Sequence, residues 1–142
     1  MEEVKETKKT TSKSKYTKAL GRRKEAVARV RLFKGKGETI VNAKPIDEYF
    51  PANYEKSIWQ KPFSLTKAEG QYYATILVKG SGKSSQLDAV VHGLSRALSQ
   101  EESQFRSTLK KAGLLTRDPR VKERRKFGKA QKARKGKQSP KR

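Results

Sequence analysis

The last 26 residues, Arg117 to Arg142, contain 13 Lys and Arg, two acids and almost nothing apolar. A segment of that composition buries too little apolar surface to offset its ordering entropy, so it stays outside any core. Whatever folds must lie upstream. The run also holds half of the chain's formal charge of +22, a density that is stable chiefly when a polyanion neutralises it. The bias is not confined to this end, because Tyr16 to Thr116 carries 18 basic against nine acidic side chains. Self-repulsion on that scale opposes the compact state until a partner supplies counter-charge, which points to nucleic acid rather than to a merely solvated or targeting tail.

At 142 residues, 32% hydrophobic and 35% charged, the chain has material for one small domain with two polar extensions. Met1 to Lys15 is Lys, Thr, Ser and Glu with one Val, a composition that predicts a disordered arm. The expected organisation is therefore an arm over 1–15, a globular domain over 16–116 and an extended basic tail over 117–142. With no Cys there is neither a disulfide framework nor a thiolate metal site. His92 is the single His and builds no zinc site unaided, so no metal or cofactor is expected. No run approaches the roughly 18 apolar residues of a membrane span, and Met1-Glu2-Glu3-Val4-Lys5 lacks the apolar stretch of a signal peptide. A cytoplasmic protein is expected.

Within the middle, Ala26, Ala28, Val30 and Leu32 share one face of a period-2 segment, and Arg29 and Arg31 share the other with Val27 and Phe33. This predicts a half-buried strand with a basic outer face. Lys34-Gly35-Lys36-Gly37 predicts a turn and Glu38 to Asn42 a short strand, together a hairpin. Pro45 to Phe50 suggests a helical turn, and Tyr54 to Trp59 a short helix that Pro62 would end or kink. Tyr72 to Lys79 alternates apolar residues on both sides, the mark of a central strand. Leu87, Val90, Val91, Leu94 and Leu98 then trace one helical face, capped by Ser84 or Ser85.

On that helix Arg96 points away from the apolar stripe, with Ala89, His92 and Gly93 near it. Small residues beside an Arg admit either a close phosphate backbone or a closely packed neighbouring element, and the sequence leaves both open. His92 by itself is more often a structural hydrogen-bonding residue than a catalyst. A last helix, about Glu101 to Ala112, buries Phe105 and Leu109 and stops at Gly113. The order of elements predicts an α+β fold, a small mostly antiparallel sheet with helices on one face and the other face exposed.

Gly80-Ser81-Gly82-Lys83-Ser84 sits between strand and helix, where a nucleotide phosphate loop belongs. The full pattern requires a Gly at position 77, which is Leu77. The predicted strands also end at Lys34, Asn42 and Lys79, without the acid that magnesium needs. The sequence therefore argues against an enzyme, while a helix start of this kind still offers backbone N–H groups to an anion such as an RNA phosphate.

Five motifs in order carry a resemblance: Gly21-Arg22-Arg23-Lys24-x-Ala26-x-Ala28-Arg29-Val30; Gly80-x-Gly82 leading to Gln86 and Ala89; His92-Gly93-x-x-Arg96-Ala97-Leu98; Leu109-Lys110-Lys111-Ala112-Gly113-x-x-Thr116-Arg117-Asp118; and Lys132-Ala133-Arg134 with a Lys-Arg end. Tyr16 to Arg142 thus resembles the small-subunit ribosomal protein S-nine family, bacterial type. The resemblance implies a non-enzymatic constituent of the small ribosomal subunit, with the fold of ribosomal protein S-five's second domain. It implies binding to rRNA of the head, the 3′ major domain, beside neighbouring head proteins. The rRNA contacts expected on this reading are Arg22, Arg23, Lys24, Arg29 and Arg31 on the sheet, then Lys83, Gln86, His92 and Arg96 around the helix. In the tail they are Arg117, Arg120, Arg124, Arg125, Lys126, Lys129, Lys132 and Arg134. Lys141 and Arg142 would meet phosphates of the peptidyl-site tRNA, a reach that 26 extended residues at roughly 3.3 Å each permit.

Two stretches depart from the family. Where it usually reads Ser-Gly-Gln-Ala-Gly-Ala, this chain has Ser84-Ser85-Gln86-Leu87-Asp88-Ala89, and Asp88 would repel a phosphate. Where it ends Gln-Phe-Ser-Lys-Arg, this chain ends Gln138-Ser139-Pro140-Lys141-Arg142. The rival from another class is a DNA-binding architectural protein, for which basic tails are also typical.

Overall fold

The computed structural model describes residues 15–134. Its elements run β1 (Tyr16–Arg23), β2 (Ala26–Lys34), β3 (Ile40–Val41), β4 (Lys44–Pro45), α1 (Ile46–Tyr49), α2 (Asn53–Thr66), β5 (Tyr72–Lys79), α3 (Lys83–Glu101) and α4 (Ser103–Lys111). The strands form one sheet in the order β1-β2-β5-β3-β4, antiparallel except where β3 lies parallel to β5. This is the expected α+β architecture with a largely antiparallel sheet.

Period-2 alternation decides which face is covered. Ala26, Ala28, Val30 and Leu32 of β2 and Tyr72, Ala74, Ile76 and Val78 of β5 are buried, and Arg29, Arg31 and Leu77 between them are exposed. All four helices follow the burial to one side, where α3 lies across β1 and β2 while α2 and α4 pack against α3. The residues that predicted the long helix, Leu87, Val90, Val91, Leu94 and Leu98, all sit in this core. The far face of β5 is open, so its apolar residues there mark a central place in the strand order rather than cover on both sides.

Three expectations are corrected. The hairpin joining β2 to the segment Glu38 to Asn42 does not form: β2 pairs with β1 and β5, and β3 joins the far side of β5. The real hairpin is β1–β2, turning at Lys24, whose φ is 51°. Asn42 explains why β3 prefers β5, since its side-chain amide donates to Val78 O at 3.0 Å and accepts from Val78 N–H at 2.9 Å, as a further strand residue would. Second, α2 continues through Pro62. The ring costs one backbone bond, which burial of Pro62 with Trp59 and Phe63 offsets. Third, neither Ser84 nor Ser85 caps α3; Gly82 stands at that position without a side-chain bond.

The small residues on α3 are resolved as packing. A Cβ on Gly21 of β1 would lie 1.8 Å from Ala89 O and 2.4 Å from Gly93 N, and one on Gly93 would lie 2.6 Å from Val30 Cγ2. Strand and helix backbones therefore touch, leaving no room there for a phosphate. α4 ends as expected at Gly113, whose φ of +75° lets Gly113 N–H reach Lys110 O at 3.1 Å and Leu114 N–H reach Leu109 O at 3.1 Å. Gly21→Ala is expected to destabilise the domain by about 3 kcal/mol or more, because the methyl meets backbone that no rotamer change can move; urea unfolding measures it.

Candidate nucleic-acid interface

The open face of the sheet presents four cross-strand rows from β1, β2 and β5. They are Arg22, Val27, Lys79; Leu20, Arg29, Leu77; Lys18, Arg31, Thr75; and Tyr16, Phe33, Tyr73. Five cations thus stand on one surface, Lys18 and Arg31 as direct cross-strand partners, and among the described residues none of them is ion-paired. A groove of about 590 Å³ runs from this face round the edge of β1, lined by Lys18, Leu20, Arg29, Arg31, Thr75 and Leu77 of the sheet and by Arg96 and Gln100 of α3. The last row is aromatic. Phe33 stacks on Tyr73 with ring centroids 5.1 Å apart and 12° between planes, and Tyr16 follows at 5.4 Å. The Arg31 guanidinium lies 5.4 Å from the Tyr16 ring centroid, so the aromatic row also steadies its cationic neighbour.

Of the residues expected on this surface, Arg22, Arg29 and Arg31 are there, and Lys24 is exposed at the β1–β2 turn. Arg23 is not. Strand alternation turns it to the helical side, where its side chain is only 12% exposed and contacts the carboxylates of Asp118 and Asp88. Asp88 thereby acquires an internal partner. Lys79 was missed, although the alternation of Tyr73, Thr75 and Leu77 places it on this face, and Lys18 was missed because the strand that carries it shows no apolar alternation.

The residues expected around α3 mainly serve the fold. Gln86 accepts from Tyr49 Oη–H at 2.6 Å and donates to Gly80 O at 3.1 Å, so both ends of its amide are engaged. Lys83 donates to Tyr49 O at 3.2 Å with its ammonium over the Tyr49 ring. Ser81 Oγ accepts from Glu25 N–H at 3.1 Å, tying the glycine loop to the first hairpin. His92 and Arg96 reach the outer edge of β1, where Arg22 N–H donates to His92 Nδ1 at 3.2 Å and Arg96 Nη1 donates to Leu20 O at 2.7 Å. These contacts occupy backbone groups that an edge strand otherwise leaves for another chain. Burial lowers the His92 pKa, assisted by Arg96 and Arg117 and opposed by a hydrogen bond to the Leu115 backbone. His92 is therefore a neutral brace between β1 and the chain leaving α4.

That exit roots the tail. Asp118 accepts from Arg120 Nε at 3.1 Å, Arg120 Nη2 at 2.9 Å and Arg120 N–H at 3.0 Å, and it meets Arg23. The Arg120 bonds hold its carboxyl far below the usual range. Arg117 donates to Lys24 O at 3.5 Å. Farther on, Glu123 binds Lys126 at 2.6 Å and Arg134 at 3.0 Å. Arg124, Arg125, Lys129 and Lys132 are exposed, and Phe127 among them is fully so. The expected arm over 1–15 falls almost wholly outside the described residues, as do Lys141 and Arg142. Among the described residues no group of His or acids is arranged to hold a metal, and no helix is long and apolar enough to cross a membrane.

A profile of the family described as "Ribosomal protein S9/S16" matches residues 21–142. The chain belongs to that family. It is 49% identical over 113 residues to "Small ribosomal subunit protein uS9" of Maridesulfovibrio salexigens, covering 80% of this chain and 87% of that one. The protein of the same description from Rickettsia felis is 51% identical over 125 residues, 87% of this chain and 76% of the other. As a family member it is a structural protein of the small subunit of the cytoplasmic ribosome and not an enzyme.

Because His92 is held neutral when folded, the unfolded chain takes up a proton first as pH falls through about 6.5, and stability drops below that point. The melting temperature is expected to decline from pH 7.5 to 5.5, and His92→Gln to flatten the decline; calorimetry across that range measures both.

Proposed function

We propose that the open sheet face binds folded rRNA of the small-subunit head through phosphate and shape. The tail then leaves the Asp118 anchor to reach the peptidyl-site tRNA, where Lys141 and Arg142 meet anticodon stem-loop phosphates. The observation that carries the first half is the set of five cations, Lys18, Arg22, Arg29, Arg31 and Lys79, gathered on the one sheet face the helices leave bare. A-form RNA offers side chains little sequence in its deep groove, so a face of unpaired charges suits it. Lys24 and the exposed tail residues Arg124, Arg125, Lys129 and Lys132 extend that surface. Arg117, Arg120, Lys126 and Arg134 contribute charge while also holding the tail's course. Arg96 is exposed and lines the groove of this face, and Arg23, Gln86 and His92 support the interface from behind.

The tail's role rests on its composition and on its root. A chain this basic folds onto RNA with electrostatics offsetting its ordering entropy, and the fixed root sets where it departs. Nothing in the structure or among the relatives favours the DNA-architectural alternative.

Affinity for an rRNA head fragment is expected to fall steeply with salt, and Arg29→Ala or Arg31→Ala each to reduce the slope by about one. Filter binding at several salt concentrations measures this. A flat response, or equal competition by duplex DNA, would count against the proposal. Deletion of Lys141 and Arg142 is expected to weaken peptidyl-site tRNA binding to purified subunits while leaving assembly intact; loss of assembly would give those residues a structural role instead.

A further inference from the structure

The row Leu20, Arg29, Leu77 breaks the pattern of the open sheet face. The rows around it carry cations or aromatic rings, yet here two leucines stand 39% and 49% exposed on either side of one guanidinium. Strand parity turns positions 20 and 77 outward without requiring a large apolar side chain at either. Both leucines line the groove of about 590 Å³, and so do four cations, Lys18, Arg29 and Arg31 from the strands and Arg96 from α3. That volume falls within the range of about 300–1,000 Å³ typical of sites for small organic groups.

Phosphate contacts alone give the leucines no role. A duplex laid on the face would press ribose and phosphate onto them, dehydrating charged oxygens without a hydrogen bond in return. Apolar surface ringed by cations instead suits a group that is apolar on its faces and joined on both sides to phosphate. An unpaired nucleobase is such a group. Bases splayed out of RNA are held by stacking on Arg guanidinium planes or aromatic rings and by hydrogen bonds to their edges. Arg29 supplies a guanidinium between the two leucines, and Thr75 and Gln100, which also line the groove, supply a hydroxyl and a carboxamide.

We infer that this groove holds one unpaired nucleotide of the bound RNA, its base over Leu20, Arg29 and Leu77 and its flanking phosphates among Lys18, Arg31 and Arg96. The inference rests on the proposal that the open face binds rRNA, and it names what the face recognises besides phosphate. The surface then selects RNA with an extruded base over a continuous duplex of equal charge.

The test uses the full-length chain with Leu77→Thr, a β-branched polar residue suited to an exposed strand position, and a head rRNA fragment in filter binding at several salt concentrations. Affinity is expected to fall on the order of tenfold at every salt concentration with an unchanged salt slope, because no ionic contact is lost. Leu65→Thr, at a residue 37% exposed on α2, should bind as the parent does. Acylation of ribose 2′-hydroxyls should show an unpaired nucleotide protected by the parent and released in Leu77→Thr. Making that nucleotide abasic should weaken the parent to a similar degree and cost Leu77→Thr nothing further. Undiminished affinity of Leu77→Thr, protection confined to paired nucleotides, or additive losses overturn the inference. If Leu77→Thr melts early, Leu20→Thr carries the same expectations and the same refutations. In purified small subunits a photo-activatable leucine at position 77 should cross-link to rRNA, and a cross-link to a peptide of another protein overturns the inference. A flat salt response of the parent instead counts against the RNA proposal itself, and this inference falls with it.

Discussion

The contact between Gly21 and the backbone of α3 at Ala89 and Gly93 sets the position of nearly everything that matters in this protein. Two backbones in touch leave no slack, so β1 is fixed in both height and register against the helix. From that contact follow the reach of His92 and Arg96 to the β1 edge, the inward turn of Arg23 and the outward turn of Arg22. The tail root depends on the same contact, because Asp118 is held by Arg23 and the Leu115 backbone meets His92. A larger residue at Gly21 would move all of these together.

Charge is the second constraint, and the fold sorts it by face. Cations that alternate outward on β1, β2 and β5 have no acidic partner among the described residues, whereas Arg23, Lys83 and Arg96 are engaged by acids and backbone oxygens. Asp88 illustrates the sorting. As a bare carboxylate at a phosphate site it would weaken binding, whereas beside Arg23, with Asp118 on the same guanidinium, it joins the strand, the helix and the tail.

The parts of this structure visible in sequence are those governed by period. β2, β5 and α3 bury what their alternation or helical stripe dictates, and the same parity places Arg29 and Arg31 on the open face. β1 was hidden because its inward positions Thr17, Ala19 and Gly21 are small or polar and give no apolar alternation. The partner of β3 was hidden because it depends on Asn42 imitating a strand residue beside Val78, a contact across 36 positions. Helical spacing showed that Arg96 leaves the apolar stripe but not that an unsatisfied strand edge lies there to receive it. Motif matching likewise named Arg23, Gln86 and His92 without distinguishing residues that face a ligand from residues that hold those that do.

The guarded edge of β1 has a consequence for the protein's life before assembly. A ribosomal protein is made in quantity, and a sheet with an available outer strand would zip onto its own copies while waiting for RNA. Here one end of the sheet is closed by His92 and Arg96, and the other is a strand of two residues containing Pro45, which has no amide to offer. The charged sheet face repels its like. Edge-to-edge pairing of free copies through this sheet is thereby disfavoured.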